Sequence, residues 1–327
     1  MKARLITGAV LGLLLSVYLP AQQVTQGSSE TGVSANSQTT FKEEVTHRIA
    51  LAEAGLRQAE FTHKSDAELA TLYGQLGVMY EDVGQMVRAE AMLQHTVSLL
   101  RHAGEPNEDL AKAVSRLGNL HVVMGKLSAG KGEDMEALKL RQKLGDPLQI
   151  ARSWSDLAAL AIAQHKFANA RDFAQKAITE FAANAQAEVI DRIAARYALS
   201  LALCYLKECP SAVPLLKDAI DDAKASQQVG FPTGLGDFLL GFAYWKSGDI
   251  FDAGQHMKEG TTVMGEQLGW SHPTYLSALK KYAQFLRENQ QADVANVVEA
   301  RIRQAEAVVD VHSIQTAQGM FGVGGLR

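Results

Sequence analysis

The sequence predicts an all-α protein, a right-handed α-solenoid of about six tandem helix-turn-helix repeats. Two observations predict it: a small residue recurs at a nearly constant interval, and proline separates successive copies. The composition favours helices, because 47% of the 327 residues are hydrophobic, Pro occurs only 7 times, and Ala and Leu, which have high helix propensity, are abundant.

The recurring small residue follows an apolar residue in every copy. Successive copies lie 39 to 44 residues apart, and a turn residue comes seven positions after each small residue. A period of this size is typical of stacked helix pairs, none of which buries its apolar face alone. The small residues are Gly77, Gly118, Ala158, Ala202, Gly241 and Ala283, and the turn residues are Gly84, Gly125, His165, Cys209, Gly248 and Gln290.

A second small residue follows each turn by five positions, and prolines stand between the copies. The fourth copy fits best with a two-residue deletion, which places Ala212 in the second small slot. Proline stops one helix and fits the first turn of the next. The separating prolines are Pro106, Pro147, Pro232 and Pro273.

The copies share a motif that is clearest in the first and fifth repeats. The first reads Tyr73, Leu76, Gly77, Tyr80, Gly84 and Ala89, and the fifth matches it at Leu240, Gly241, Tyr244, Gly248 and Ala253. This pattern resembles the tetratricopeptide repeat family, and its long period is similar to the kinesin-light-chain type. The resemblance covers about residues 66–305. The second repeat has His121 in place of Tyr, and we interpret His121 as a packed core residue.

The ends of the chain differ from the repeats. Residues 1–21 are predicted to be a signal peptide, because Lys2 and Arg4 precede an uncharged apolar run that is too short to span a membrane and ends near Ala21. Residues 22–40 are predicted to be a disordered linker, 41–64 an N-terminal capping helix, 65–310 the solenoid, and 311–327 a flexible tail. A Ser65–Glu68 capping box opens the solenoid. We therefore expect export to a periplasm or the cell exterior.

The two cysteines, Cys204 and Cys209, leave two alternatives. An exported chain enters an oxidising compartment, so they can form a disulfide. On one continuous helix they would be too far apart to bond, although Pro210 can end the helix between them. The favoured interpretation is that Cys204 fills the core and Cys209 lies in a turn, without a bond.

The sequence contains no motif that indicates catalysis or a cofactor. The formal net charge of −4 argues against a nucleic-acid partner. The segment from Gly125 to Lys131 begins like a phosphate-binding loop, but Gly132 replaces the required Ser or Thr, and a helix precedes it where a strand is needed. We interpret it as a turn between helices. We expect no enzymatic activity, no cofactor and no metal.

The resemblance implies that the first helix of each repeat lines a concave face, through residues six and three before the small residue and one and four after it. In the fifth repeat these include Phe238, Phe242 and Trp245, which share one helical face. Core packing is an equal alternative for both Phe residues, whereas exposure in the groove is favoured for Trp245. The polar candidates are Lys112, Asn119, Arg152, Arg196, Lys207, Lys246, Lys280 and Arg287, for which ordinary solvent exposure is the alternative.

A basic, aromatic inner face on an acidic protein suggests a protein or peptide partner with a carboxylate and an apolar anchor. The predicted function is therefore that of an exported interaction scaffold, without nucleic acid and without a stable membrane span. The alternatives are an accessory subunit of a cell-envelope or secretion assembly, a less favoured enzyme of an unrecognised type, and pure self-assembly through the ends of the solenoid.

Overall fold

The computed structural model describes the backbone of residues 35–104, 107–227 and 230–321, and side chains between residues 46 and 307. This part of the chain forms thirteen helices. They are α1 (Ala35–Phe61), α2 (Asp66–Asp82), α3 (Met86–His102), α4 (Glu108–Val123), α5 (Leu127–Leu144), α6 (Pro147–Ala163), α7 (Phe167–Ala183), α8 (Val189–Tyr205), α9 (Cys209–Ala225), α10 (Phe231–Ser247), α11 (Ile250–Leu268), α12 (Pro273–Glu288) and α13 (Ala292–Phe321).

Helices α2 to α13 form six consecutive pairs, which we call repeats 1 to 6. Each helix packs against the next one in the chain, and the first helices of neighbouring repeats also touch each other from repeat 2 to repeat 5. This pairwise stacking is the predicted α-solenoid, preceded by α1.

Short-range sequence signals set the helix starts. The predicted capping box is present, since the Ser65 hydroxyl accepts from the Glu68 N–H and the Glu68 carboxylate accepts from the Ser65 N–H. Asp146 and His272 cap α6 and α12, and in both cases proline follows at the first helical position. Pro106 lies outside the described residues.

The predicted turns adopt the left-handed conformation in five repeats, at φ values from 58° to 92°. The fourth repeat differs from the prediction, because its left-handed residue is Lys207 (φ 68°), whereas Cys209 already begins α9. The turn is therefore two residues shorter, as the deletion required, and Ala212 is fully buried in the second small slot.

Small residues allow the two helices of each repeat to approach closely. Ala89, Ala170 and Ala253, all in the second small slot, have no exposed surface. At Gly241 an added Cβ would lie 2.6 Å from the Met257 side chain, so only glycine fits between α10 and α11. The sequence period therefore reflects helix contact distances as well as turns.

Cys204 and Cys209 are joined by a disulfide, so the favoured unbonded interpretation is wrong. The left-handed Lys207 reverses the chain between α8 and α9 and brings the two Cα atoms to 4.1 Å. The two cysteines therefore lie on different helices, whereas on one continuous helix they would be too far apart to bond.

The helical ends of the array extend beyond their predicted limits. Helix α1 begins at Ala35 within the predicted linker, and α13 continues through the predicted tail to Phe321. The signal peptide of residues 1–21 lies outside the described residues. No described helix is both long and apolar enough to cross a membrane.

The segment from Gly125 to Lys131 begins in the turn between α4 and α5, where Gly125 has a left-handed φ of 76°. Helix α5 starts at Leu127, so only Gly125 and Lys126 form the predicted inter-helix turn, and the rest of the segment is helical. His121 is also buried as expected, with 5% of its surface exposed, and its two ring nitrogens contact Glu90 and Glu133.

Candidate functional site

Packing between successive first helices decides which predicted site residues remain accessible. In repeat 2, Ser115 and Asn119, three before and one after the small residue, both donate to Asp156 of α6, at 2.6 and 3.0 Å. In repeat 5 the corresponding face meets α12, because the Trp245 and Phe285 ring centroids lie 5.6 Å apart. These slots therefore contact the next repeat and do not line an open groove.

The three aromatic candidates are consequently core residues. Phe238, Phe242 and Trp245 are exposed by only 1%, 3% and 7% of their surfaces, so the predicted exposure of Trp245 is wrong. The physical reason is the packing of neighbouring repeats: Phe285 of α12 covers Trp245, and Tyr205 of α8 and Lys281 of α12 flank Phe242. Burying these large rings stabilises the stack.

Four polar candidates of repeats 2 to 4 bind groups of the protein itself. Lys112 pairs with Glu108 one helical turn away at 2.6 Å. Arg152 bridges Asp191 and Glu188 at the start of α8, and Arg196 pairs with Asp222 at 2.6 Å. Asn119 donates to Asp156, as described above. Asn119, Arg152 and Arg196 therefore join different helices, whereas Lys112 pairs within α4. The Asn119 Oδ1 atom is buried without a hydrogen-bond partner in the described structure.

Lys280 and Arg287 lie on repeat 6, the last helix pair in the described part of the chain. They border a cleft of about 360 Å³ between α12 and α13. Lys280 pairs with Glu306 and Arg287 with Glu299, at 2.6 and 2.8 Å. Both cationic groups therefore already have carboxylate partners on α13.

Lys207 and Lys246 are the remaining candidates, and both are exposed. Lys207 is the left-handed turn residue of repeat 4. Lys246 lies over the ring of Trp245, with its Nζ 3.4 Å from the ring centroid. Within the described part of the chain, neither ammonium group has a carboxylate within 4.0 Å. Of the two, Lys246 is placed by an ordered aromatic neighbour.

A second ammonium group, missed by the sequence prediction, lies beside Lys246. The Nζ atoms of Lys246 and Lys281 lie 5.8 and 6.0 Å from the centroid of the same ring, that of Phe242. Lys281 is only 7% exposed, and its ammonium group donates a hydrogen bond to the Gln284 Oε1 at 3.0 Å. We call Lys246 and Lys281 the lysine pair.

The charges of the lysine pair are poorly compensated. Burial and, after it, the neighbouring charge of Lys246 together lower the pKa of Lys281 to about 8. Burial also lowers the pKa of Lys246. Glu288 acts in the opposite direction on both groups, but it lies beyond ion-pair distance among the described residues. An anion at this position would be attracted by both ammonium groups.

Tyr205 extends the aromatic cluster that Phe242 and Trp245 form beside the lysine pair. Its ring stacks on Phe167 at 4.4 Å and lies 5.8 Å from the Phe242 ring. Its hydroxyl is buried without a hydrogen-bond partner in the described structure, and burial raises its pKa to about 12. The cluster therefore combines aromatic rings, two ammonium groups and one free hydroxyl donor.

One sequence signal would have identified Lys281. It lies two positions before the small residue. This slot is polar in five of the six repeats, although the side chain there is buried in most of them. Asp156 and Ser200 in this slot are 3% and 1% exposed. Polar residues at a buried slot indicate a hydrogen-bonded or charged layer inside the array. The slot holds Gln75, Arg116, Asp156, Ser200, Leu239 and Lys281.

Known structures share the architecture. The Rap conjugation gene regulator of plasmid pLS20 in complex with the Phr* peptide is 14% identical, with a TM-score of 0.65, covering 95% of this chain and 84% of that one. The apo form of RapI is 10% identical, with a TM-score of 0.64 and coverages of 84% and 96%. BtubC (BKLC) from P. vanneervenii is 16% identical, with a TM-score of 0.52 and coverages of 69% and 92%.

No protein-family model matches the sequence, and no curated protein matches it. At identities of 16% or less, the structural likenesses show the fold alone. That fold is a tetratricopeptide-like α-solenoid, as the sequence motif predicted.

Proposed function

We propose that this protein is an exported interaction scaffold that binds a peptide or protein segment through a carboxylate, and that the lysine pair is the point of attachment. One observation carries the proposal: two ammonium groups share the Phe242 ring, and neither has a carboxylate within 4.0 Å in the described structure. Solvent-exposed lysines need no partner. Lys281, however, is only 7% exposed, and burying its charged ammonium group without an opposite charge costs folding free energy.

A carboxylate ligand would supply that charge. It would accept from both ammonium groups, and its negative charge would favour the protonated form of Lys281. Of the aromatic rings here, the half-buried ring of Tyr205 would contact an adjoining apolar side chain, whereas Phe242 is buried beneath the lysine pair. The fold is suited to this role, since the pLS20 regulator of similar architecture was solved with a peptide.

Export is the second part of the proposal and rests on the leader-like residues 1–21. The disulfide between Cys204 and Cys209 supports it, because stable disulfides form in oxidising compartments and are rare in the cytosol of most organisms. Fusing residues 1–40 to a reporter that is active only after export tests this part separately. A reporter that remains in the cytosol would contradict it.

The binding proposal is tested with short peptides that are presented once with a free C-terminal carboxylate and once amidated. We expect a subset to bind only as the free acid. Lys281→Met, which removes the ammonium group but keeps an unbranched side chain of similar size, should weaken that binding at least about tenfold, as expected when one partner of a charged hydrogen bond is lost. Lys246→Met should do the same.

The matched control is Lys112→Met, which removes a lysine paired with Glu108 on α4. Its peptide binding should equal that of the wild type. Binding that is indifferent to amidation, or that Lys112→Met reduces as strongly as Lys281→Met, would contradict the assignment to the lysine pair. Circular dichroism of each variant establishes that it has folded.

A further inference from the structure

The first and last repeats of the array touch each other. The imidazole Nε2 of His272, directly before α12, lies 3.3 Å from the backbone oxygen of Glu81 in α2, although 191 positions separate the two residues. A Cβ added at Gly84 would lie 3.0 Å from the Pro273 ring and 3.7 Å from the His272 Cα. The end of α2 therefore packs on the start of α12, and the array closes on itself.

The hydrogen bonds of His272 define its protonation state. Its Nδ1 accepts from the Thr274 N–H at 3.2 Å, as the N-cap of α12. Nε2 must then carry the hydrogen and donate it to the Glu81 oxygen. The neutral ring thus performs two tasks at once: it caps α12 and ties α12 to α2. A second proton would go to Nδ1 and turn the capping acceptor into a donor that faces another donor.

Charged groups surround this contact on the neighbouring helices. Glu81 is buried and pairs with Arg116 of α4 at 2.5 Å, and Asp82 follows it in α2. Arg116 and, more weakly, Arg48 of α1 act on Asp82 and lower its pKa, but burial dominates and raises it to about 6. Burial also raises the pKa of Glu81. Acid therefore removes negative charge from α2.

We propose that His272 is a pH-sensitive latch, which holds the first and last repeats together while it is neutral and releases them when it is protonated. His272 is 2% exposed at the junction of two helices from opposite ends of the array, and its only described acceptor there is a backbone oxygen. A protonated ring at this position would lose the Thr274 bond and would be buried without a counter-charge in contact.

The direction of the pH effect follows from linkage. Burial lowers the pKa of His272 from 6.5 to about 4 in the closed array, whereas an opened, solvated ring returns towards 6.5. Lowering the pH through this interval therefore favours the open form, by up to roughly 300-fold. Glu81 and Asp82 titrate with the opposite sign, because their raised pKa values favour the closed form in acid. The His272 contribution must therefore be isolated by substitution.

The experiment measures the separation between the two sides of the latch. Gln85 and Ser271 flank it and are exposed, so both are replaced by Cys and spin-labelled; the native cysteines are joined in a disulfide and do not react. Double electron–electron resonance then gives the distance distribution. We expect one short distance at neutral pH, and a loss of that short population as the pH falls towards 4 while the circular dichroism remains helical.

The decisive variant is His272→Asn. Asparagine is a good N-cap and can still accept from the Thr274 N–H, but it cannot titrate and is too short to replace the bond to Glu81. The short distance should be lost in this variant already at neutral pH. The matched control is Asp146→Asn. Asp146 is also an N-cap followed by proline at the first helical position, but it lies away from the latch. It should leave the distance and its pH response unchanged.

Two results would overturn the proposal. One is a wild-type distance that stays short until the helical signal itself is lost. The other is a His272→Asn protein that is folded and closed at neutral pH. If His272→Asn fails to fold, the wild-type titration alone decides, because a distance change that precedes the loss of helical signal still requires a local opening.

Discussion

The carboxyl group of Asp134 in α5 lies directly against Gly118 in α4. A Cβ added at Gly118 would come within 2.5 Å of the Asp134 Oδ1, and neither carboxyl oxygen has a hydrogen-bond partner in the described structure. Asp134 is 1% exposed. Burial raises its pKa well above the usual value, and the negative charge of Asp156 raises it further.

Asp134→Asn should therefore stabilise the protein above neutral pH. The folded state retains a proton that the unfolded state releases, so this group reduces the stability as the pH rises from its unfolded pKa of 3.8 through its higher folded pKa. Each pKa unit corresponds to about 1.4 kcal/mol. Urea unfolding at acidic and alkaline pH should show a smaller pH dependence in Asp134→Asn. An unchanged dependence, equal to that of the exposed control Asp109→Asn, would contradict the argument.

Two glycines of the second repeat should respond oppositely to alanine. Gly118→Ala forces a methyl group against Asp134, so we expect a loss of about 1–3 kcal/mol, as for other overpacked sites. Gly132 lies within α5 with nothing within 4 Å of an added Cβ. Gly132→Ala should therefore gain about 0.5–1 kcal/mol from helix propensity. Chemical denaturation measures both, and equal effects would show that the close α4–α5 contact is absent.

The closure of the array predicts a difference between two glycines with the same backbone conformation. Gly84 and Gly125 have φ values of 74° and 76°, but only Gly84 faces another repeat, at Pro273. Gly125→Ala should cost about 1 kcal/mol from the left-handed conformation alone. This strain is tolerable, since His165 adopts φ 58° in the same slot of repeat 3. Gly84→Ala should cost more. Equal unfolding free energies would mean that repeats 1 and 6 do not touch in solution.

The disulfide should stabilise the fourth repeat modestly. It closes a loop with a sequence separation of only five, so the chain-entropy estimate is about 2 kcal/mol. Guanidinium unfolding with and without a reductant measures this difference. The Cys204→Ala, Cys209→Ala double variant should not respond to the reductant. A wild-type protein that is equally stable when reduced would contradict a bond that contributes to the fold.

Local signals explain why so much of the fold was predictable. The capping box at Ser65, the proline after Asp146 and the small residues such as Gly241 each act within a few residues or one helix contact, so their effect is visible in the sequence. The shortened turn at Lys207 was only partly predicted, because the deletion was recognised whereas the reversal that brings Cys204 to Cys209 depends on three-dimensional geometry.

The candidate site was less predictable for a related reason. The family pattern describes one repeat, whereas exposure depends on how closely successive repeats stack. Trp245 has the spacing of a groove residue, yet Phe285 of the next first helix covers it. Lys281 lies in a buried slot of its own repeat, and its place beside Lys246 at the Phe242 ring depends on the contact between repeats 5 and 6. The contact between Glu81 and His272 spans the whole array and leaves no local pattern.

Lys281→Met should stabilise the unliganded protein at neutral pH although it should weaken peptide binding. The pKa of Lys281 is about 8 in the folded state, below its unfolded value of 10.5, so the folded protein releases a proton that the unfolded chain retains. Lys281 therefore costs the fold no stability above pH 10.5, and the cost grows as the pH falls from 10.5 to about 8. Methionine removes this cost, so the gain should be largest at neutral pH and should shrink as the pH rises above 8.

Thermal unfolding at neutral and alkaline pH, together with the peptide assay, gives both readouts on one variant. If Lys281 has a structural role, its substitution should destabilise the protein, because the hydrogen bond to Gln284 and the contact with Phe242 would be removed without compensation. A lysine kept for binding should show the opposite combination, higher stability with lost affinity, as found where a site is maintained at the expense of the fold. If Lys281→Met lowers the melting temperature at neutral pH, the lysine pair is part of the scaffold, and the ligand must be sought on another face.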